Sequence, residues 1–448
     1  MRPKQQQKAR HDDLFRARLD QIINMKHALV ALADRIDWAW LDEQLAGCFS
    51  SGGRPAEPVR FMLGMFLLKH TYALSDEQVW ERWVSDPYFQ YFTGEEFFQH
   101  ALPHERSGMS HWRKRIGDRL DILLQESLRI AHDTGALQKS DLARVTIDTT
   151  VQPKNVAFPT DAGLLETAIR QLGKLAKAHG VPLRQSYARL ARTAAMMAGR
   201  YAHAKQFKRM NGRIKFLHTR LGRIIRDIGR KTGCDAALQE VFAVALSRAR
   251  QIRSQSPRQR GWKLYSWHAP ETECIGKGKA RAPYEFGVKV SLTTTNKRCR
   301  GGQFILHARA LPGNPYDGHT LREVIGETEA LTGREIERVY VDKGYRGHDA
   351  PYPNRVFRSG QKRGVHGQIK KELRRRSAIE PVIGHCKTDG HLGRNFLKGR
   401  LGDQINAVMS AVGYNLRLIL KWLKLLLRKI IAAIRATVIP TSDFKMAS

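Results

Sequence analysis

Two short strand-like runs, each ending in an aspartate, constrain the fold more than any other feature of the sequence. The run VTID ends at Asp148 and the run VYVD ends at Asp342, far apart in the chain. β-branched and aromatic residues in such runs predict strands. If the two strands are neighbours in one sheet, their carboxylates converge at the edge where open α/β sheets keep their ligand sites. The sequence therefore predicts an α/β core with acidic side chains at one edge.

The segment between the two runs predicts a helical insertion. Residues from about 161 to 254 are typical of long basic helices, and strand signals return after them. Residues 286–292 alternate strictly and a second apolar run follows at 304–306, so we expect a hairpin. A helix is predicted from about Thr320 to Leu331. The first core strand is thus separated from the rest of its sheet by a basic segment of about a hundred residues.

The chain before residue 140 predicts an all-α domain. Apolar residues recur with helical spacing from Pro58 to Tyr72, and the chain breaks at Ala73-Leu74. Ser75 and Gln78 then form a capping box for the next helix. Two helices with so short a turn predict either a helix-turn-helix or an ordinary helical hairpin. We expect a helical domain over 1–139, a catalytic domain over 140–400 with an insertion at about 157–260, and a C-terminal helix within 401–448.

The charge distribution indicates a polyanionic partner. The net charge is +35, and residues 161–260 hold 22 Lys and Arg against 5 Asp and Glu. Residues 361–400 hold 11 basic residues against 3 acidic ones. Two such blocks favour double-stranded DNA as the partner. No secretory signal, membrane span or CxxC spacing is visible, so we expect a cytoplasmic, nucleoid-associated protein.

Convergent carboxylates predict a metal site. Two or three of them repel one another and need a cation to remain ionised together. Oxygen ligands select a hard ion, Mg²⁺ or Mn²⁺. In a chain that attracts DNA, the matching chemistry is two-metal phosphoryl transfer, with ions about 3.5–4 Å apart.

A third carboxylate is expected from the basic block near the C-terminus. Glu380 follows Arg376 by four residues and precedes Lys387 by seven, so a continuous helix would place all three on one face. The glutamate would then bind metal and the two cations would bind flanking phosphates. Pro381 complicates this, because the helix would either begin at Pro381, which removes Arg376 from that face, or be kinked.

Two other motifs have alternative interpretations. The sequence IGKGKA, with Lys277 and Lys279, lacks residues required of a phosphate-binding P-loop and predicts a basic loop that could touch DNA. His319 in DGHTL would lie near the active site, or else Asp317 or Thr320 would cap a helix there.

Four stretches together resemble the DDE transposases of bacterial insertion sequences, and within them the insertion-sequence-five family. They are residues 53–94, KGKARAPYEFGVKVSL, GNPYDGHTL with VYVDKGYRG, and RRRSAIEPVIGHCK. The family signature Tyr-x2-Arg-x3-Glu-x6-Lys matches at Arg376, Glu380 and Lys387, while Leu373 replaces the tyrosine. The resemblance implies a mixed-sheet RNase H-like core, with Asp148, Asp342 and Glu380 as catalytic metal ligands.

The same resemblance implies a function. We expect a transposase that binds terminal inverted repeats, cleaves the DNA ends and joins the 3′-OH to target DNA, as a homodimer in a synaptic complex. The residues expected to contact DNA are Lys277, Lys279, Lys343, Arg346, Arg376 and Lys387. A nuclease on the same fold and an inactive DNA-binding relative remain as alternatives, because fold does not fix function.

Overall fold

The computed structural model describes residues 17–49, 56–257, 259, 261–276, 278 and 283–438. The chain divides into two compact units. The first unit comprises Met1–Gln152 and Lys289–Ser448, and the second comprises Pro153–Val288. Because the second unit interrupts the first, a basic helical insertion into an α/β core is what the structure shows. Lys277 and Lys279, predicted to contact DNA, lie outside the described residues.

The first unit begins with helices, as predicted. They are α1 (Leu19–Ile22), α2 (Ala28–Ala33), α3 (Trp38–Leu45), α4 (Val59–Thr71), α5 (Asp76–Ser85), α6 (Pro87–Thr93), α7 (Gly108–Ile116) and α8 (Asp121–Asp133). The break between α4 and α5 is confirmed, since Ala73 takes a left-handed conformation with φ 55°. Ser75 and Gln78 form the predicted capping box at the start of α5. Large aromatic side chains such as Trp80, Trp83 and Trp112 are buried in the core of these helices.

A six-stranded mixed sheet follows. Its strands are β1 (Arg144–Pro153), β2 (Glu273–Gly276), β3 (Tyr284–Thr295), β4 (Ile305–Leu311), β5 (Arg338–Val341) and β6 (Val356–Arg358). The order is β2-β3-β1-β5-β6, with β4 also paired to β3. The predicted hairpin is confirmed as the antiparallel pair β3–β4. The condition set for convergence of the two aspartates, that their strands are neighbours in one sheet, is met, because β1 and β5 pair in parallel.

One strand is longer than predicted. The sequence predicts that the first strand ends at Asp148. In the structure β1 continues to Pro153, so Asp148 lies within the strand. The polar residues after Asp148 can remain in the strand because their side chains find partners. Gln152 is fully buried, donates to the backbone oxygen of Asp403 at 3.1 Å, and accepts from Asn406 at 2.9 Å.

Helices complete the first unit. They are α13 (Leu321–Thr332), α14 (Gly367–Arg374), α15 (Ile379–Asp389) and α16 (Gly399–Val438). The predicted helix near Thr320–Leu331 is confirmed as α13. Helix α16 packs against α4, α8 and β4. At Gly413, a Cβ atom would lie 2.3 Å from the backbone oxygen of His70, so only glycine permits this approach to α4.

The second unit has its own core. Its helices are α9 (Asp161–Ala178), α10 (Ala188–His203), α11 (Phe207–Thr232) and α12 (Ala236–Ser254). Their apolar faces form one cluster of buried side chains that includes Leu172, Leu221 and Phe242. The basic residues therefore lie mostly on the outer faces of helices whose inner faces are apolar. No helix among the described residues is long and apolar enough to cross a membrane.

Candidate active site

The two strand aspartates lie level with each other. Residues 144–146 of β1 pair in parallel with residues 338–340 of β5, and continuing this register places Asp148 opposite Asp342. β5 ends at Val341, so Asp342 begins the 3₁₀ turn Lys343–Tyr345. Its Oδ1 atom accepts from the backbone amide of Gly344 at 2.7 Å. The parallel sheet therefore brings together two carboxylates that are far apart in sequence.

The electrostatics of Asp148 confirm that acidic groups surround it. Burial, and then the negative charges of Asp342 and Asp317, raise its pKa to about 6. A hydrogen bond from the backbone amide of Thr149, at 2.8 Å, and the charge of Arg376 act in the opposite direction. Only 17% of its side chain is exposed. Asp148 thus stands among more negative charge than one arginine balances.

Arg376 lies between two of the predicted metal ligands. Its Nη1 atom is 3.3 Å from Asp148 Oδ2, and its Nη2 atom is 3.4 Å from Glu380 Oε1. Arg376 is predicted from the sequence to bind a DNA phosphate, whereas in the structure it pairs with the carboxylates of Asp148 and Glu380. Glu380 is 64% exposed and is connected to Asp148 through this guanidinium.

The helix around Glu380 accommodates its proline. A 3₁₀ segment, Arg375–Ala378, leads directly into α15, and Pro381 is the third residue of that helix. The first amides of an α-helix have no partner within the helix, so a proline there removes no hydrogen bond. Helix α15 therefore begins two residues before Pro381, and Arg376 keeps its contact with Glu380.

A fourth carboxylate, which the sequence analysis did not assign to the site, belongs to this cluster. Asp317 Oδ1 accepts from Thr149 Oγ1 at 3.0 Å and forms an ion pair with Lys289 Nζ at 3.0 Å. Capping of α13 by the side chain of Asp317 or Thr320 is not what the structure shows, because neither makes a capping hydrogen bond. His319 is exposed.

The turn after Asp342 packs closely against the carboxylates. A Cβ atom on Gly344 would lie 2.9 Å from Asp342 Oδ1 and 3.6 Å from Asp317 Oδ2, so glycine allows both acids to approach the turn. Tyr345 is fully buried beside them. Burial, and then the charges of Asp148, Asp317 and Asp342, raise the pKa of its phenol. The sequence VDKGYRG contained both residues, but nothing in their spacing indicated these contacts.

The donor chemistry fits a hard cation, although the ligands are not gathered around one point. The strand aspartates supply oxygen atoms and excess negative charge, which is what Mg²⁺ and Mn²⁺ require. Within the part of the chain that the structure describes, no three acidic, histidine or cysteine side chains are placed to hold an ion together. The guanidinium of Arg376 forms ion pairs with two of the predicted ligands, Asp148 and Glu380.

The remaining predicted DNA contacts lie near these acids in sequence. Lys343 and Arg346 are exposed in the turn that follows Asp342. Lys387 is half-buried on α15, seven residues after Glu380. Their roles in DNA binding stay predictions.

Comparison with known proteins gives two matches. Residues 17–115 match the family model described as Transposase domain (DUF772). A protein of Rhizobium meliloti described as "Uncharacterized protein ORF8 in nfe locus" is 52% identical over 208 residues, which are 46% of this chain and all of that protein. No solved structure matches the chain. Residues 17–115 therefore carry a transposase domain, and the chain belongs to the same family as the Rhizobium meliloti protein.

Proposed function

We propose that this protein is a DDE transposase. It cleaves DNA at the ends of an insertion sequence and joins the freed 3′-OH to target DNA by metal-dependent phosphoryl transfer. One observation carries the proposal: parallel strands β1 and β5 hold Asp148 and Asp342 level with each other, with excess negative charge around Asp148. The transposase domain and the net charge of +35 support a DNA substrate.

Asp148, Asp342 and Glu380 are the proposed ligands of the ions. Bound Mg²⁺ or Mn²⁺ would supply Lewis acidity and stabilise the charge that develops on the phosphate. Asp317 has a different role in this proposal, because Lys289 and Thr149 already engage its carboxylate. It fixes the strand position of Thr149, the residue next to Asp148. Asp317 is thus a positioning residue.

The basic residues around the acids would hold the DNA. Lys343 and Arg346 follow the proposed ligand Asp342 in the same turn and are exposed, so a phosphate can reach them. Arg376 pairs with Asp148 and Glu380. If bound ions compensated these carboxylates, the guanidinium would be available to a phosphate, for which its planar donors are suited. This reconciles the predicted DNA role of Arg376 with its observed contacts.

The test is a cleavage and joining assay on DNA that carries the sequences flanking the gene. Asp148→Ala and Asp342→Ala should lose cleavage and joining in Mg²⁺ or Mn²⁺ while still binding the ends in a gel-shift assay. Glu380→Gln should lower the cleavage rate by about 10²–10³, as removal of one charge-stabilising group does elsewhere. Asp317→Asn should lower it less, because that acid is proposed only to position its neighbours.

Three results would redirect the proposal. Metal-dependent cleavage that persists in Asp148→Ala or Asp342→Ala would refute the assignment of the ligands. Cleavage by the wild-type protein without joining of a pre-cleaved end would indicate a nuclease on this fold. Binding of DNA ends with neither reaction would indicate an inactive relative.

A further inference from the structure

The second unit contains a cavity in which four of the eight lining residues are arginines. Its volume is about 350 Å³, and it lies between the loop that precedes α10 and one face of α11. Arg223, Arg226 and Arg230 are spaced by three and four residues, so they project from the same face of α11. Arg184 approaches from the loop. This cavity lies wholly within the unit Pro153–Val288 and shares no residue with the carboxylate site.

A single acid lines the cavity, and other groups already engage it. Asp227 is buried and accepts from the backbone amide of Arg184 at 2.9 Å. Lys231 pairs with it at 3.3 Å, and Arg230 lies 3.7 Å away. The side chains of Arg223 and Arg226 form no ion pair with any residue that the structure describes. The cavity therefore carries several positive charges that the protein itself does not balance.

The N-terminus of α10 lies at the edge of the cavity. Tyr187 lines the cavity and is also the N-cap residue of α10, a helix of 16 residues. It has a left-handed conformation with φ 53°, and no side chain caps the first amides of the helix. Helix N-termini carry partial positive charge and free N–H donors, which favour anions. Arg223 Nη1, 3.5 Å from Tyr187 Oη, connects the two sides of the cavity.

We infer that this cavity binds a backbone phosphate of DNA. A guanidinium group can donate two parallel hydrogen bonds to two phosphate oxygens. Among the described residues, the guanidinium groups of Arg223 and Arg226 form no ion pair that a phosphate would have to break before it binds. The inference rests on the proposed function only in naming DNA as the source of the phosphate. It goes beyond a general attraction of DNA to the basic unit, because it assigns the contact to particular arginines.

The test compares two double variants of the full-length protein. Arg223→Gln with Arg226→Gln removes two charges from the cavity. Arg192→Gln with Arg200→Gln removes two charges from exposed arginines on α10 that do not line the cavity. Binding of a short fluorescein-labelled DNA duplex is measured by anisotropy between about 50 and 200 mM salt. EDTA is present throughout, so the result does not depend on cleavage or on metal binding at the carboxylates.

We expect the cavity variant to bind DNA about tenfold more weakly. The plot of log affinity against log salt has a negative slope, and its magnitude should decrease by about 1–2. The control should change much less. The pair Arg223→Lys with Arg226→Lys keeps the charge but not the fork, and it should lie between the wild-type protein and the glutamine variant. It also provides a measurement if the glutamine variant fails to fold, as checked by circular dichroism.

Two outcomes would overturn the inference. An equal loss of DNA affinity in the cavity and control variants would mean that DNA binding depends only on the total charge of the unit. The second outcome concerns a free phosphate compound, probed with inorganic pyrophosphate by calorimetry. Pyrophosphate binding that disappears in the cavity variant while DNA binding is unchanged would assign the cavity to such a compound instead of DNA.

Discussion

The two charged regions of the protein are built in opposite ways. In the carboxylate site, Asp148 stands beside the negative charges of Asp342 and Asp317, and Arg376 pairs with it. In the second unit, several arginines surround one buried aspartate, Asp227. Each region leaves charge of one sign unbalanced. An unbalanced region favours a ligand of opposite charge, a cation in the first case and a phosphate in the second.

The comparison also shows that the two key aspartates have different effects on stability. Asp227 is surrounded by donors and cations, so its ionised form stabilises the second unit. Asp148 is surrounded by acids and buried, so its ionised form opposes folding. A residue that destabilises the protein in its working ionisation state is typical of functional sites.

The largest stability change is expected from Asp227→Ala. It leaves Lys231 and the amide of Arg184 without their buried acceptor, and we expect a loss of about 2–3 kcal/mol. Thermal unfolding followed by circular dichroism measures it, with Glu240→Ala on an exposed position of α12 as the control. A melting temperature that matches the control would mean that Asp227 does not hold the loop to α11.

The opposite sign is expected for Asp148→Asn in metal-free buffer. The folded pKa of Asp148 is raised to about 6 from 3.8, so the folded state binds the proton more tightly than the unfolded state does. Stability of the wild-type protein should therefore fall as pH rises from about 4 to 6, and the variant should escape this loss. Above pH 6 we expect Asp148→Asn to be more stable by about 2–3 kcal/mol, because each unit of pKa difference corresponds to about 1.4 kcal/mol.

The pH series supplies its own control. Below pH 4 both the folded and unfolded states hold the proton, so the advantage of the variant should disappear. Urea unfolding at several pH values measures this. An advantage that is the same at every pH, or a variant less stable at pH 8, would contradict the raised pKa.

The smallest effect is expected from Arg376→Gln. Removing the guanidinium leaves Asp148 and Glu380 without a competing cation, so Mn²⁺ should bind about 3- to 10-fold more tightly at pH 8. Calorimetry measures the change, and Arg374→Gln, at the exposed end of α14, is the matched control. Weaker binding in Arg376→Gln would show that Arg376 supports the metal site instead of competing for it.

Local sequence patterns predicted those parts of the molecule that depend on local interactions. The capping box at Ser75, the break at Ala73 and helix α13 follow from residues a few positions apart. The sequence also allowed the strands that bear Asp148 and Asp342 to be neighbours in one sheet, and the structure pairs them in parallel.

The sequence could not predict features that depend on contacts between distant residues. Asp317 contacts Thr149 across 168 positions of the chain, so its motif predicted either a helix cap or a position of His319 near the active site, and not this contact. The continuation of β1 to Pro153 depends on Gln152 finding partners on α16. Arg376 was assigned to phosphate because its position relative to Glu380 is visible in sequence, whereas its contact with Asp148 is not.

The most direct test of the central claim is a calorimetric titration of Mn²⁺ into the wild-type protein and into Asp342→Asn at pH 8. Asp342→Asn keeps the shape of the side chain and removes one of the two strand carboxylates, so the sheet should remain intact by circular dichroism. We predict that the wild-type protein binds Mn²⁺ and that Asp342→Asn loses this binding. Equal binding by both proteins, or none by the wild-type protein, would contradict a metal site at these strands.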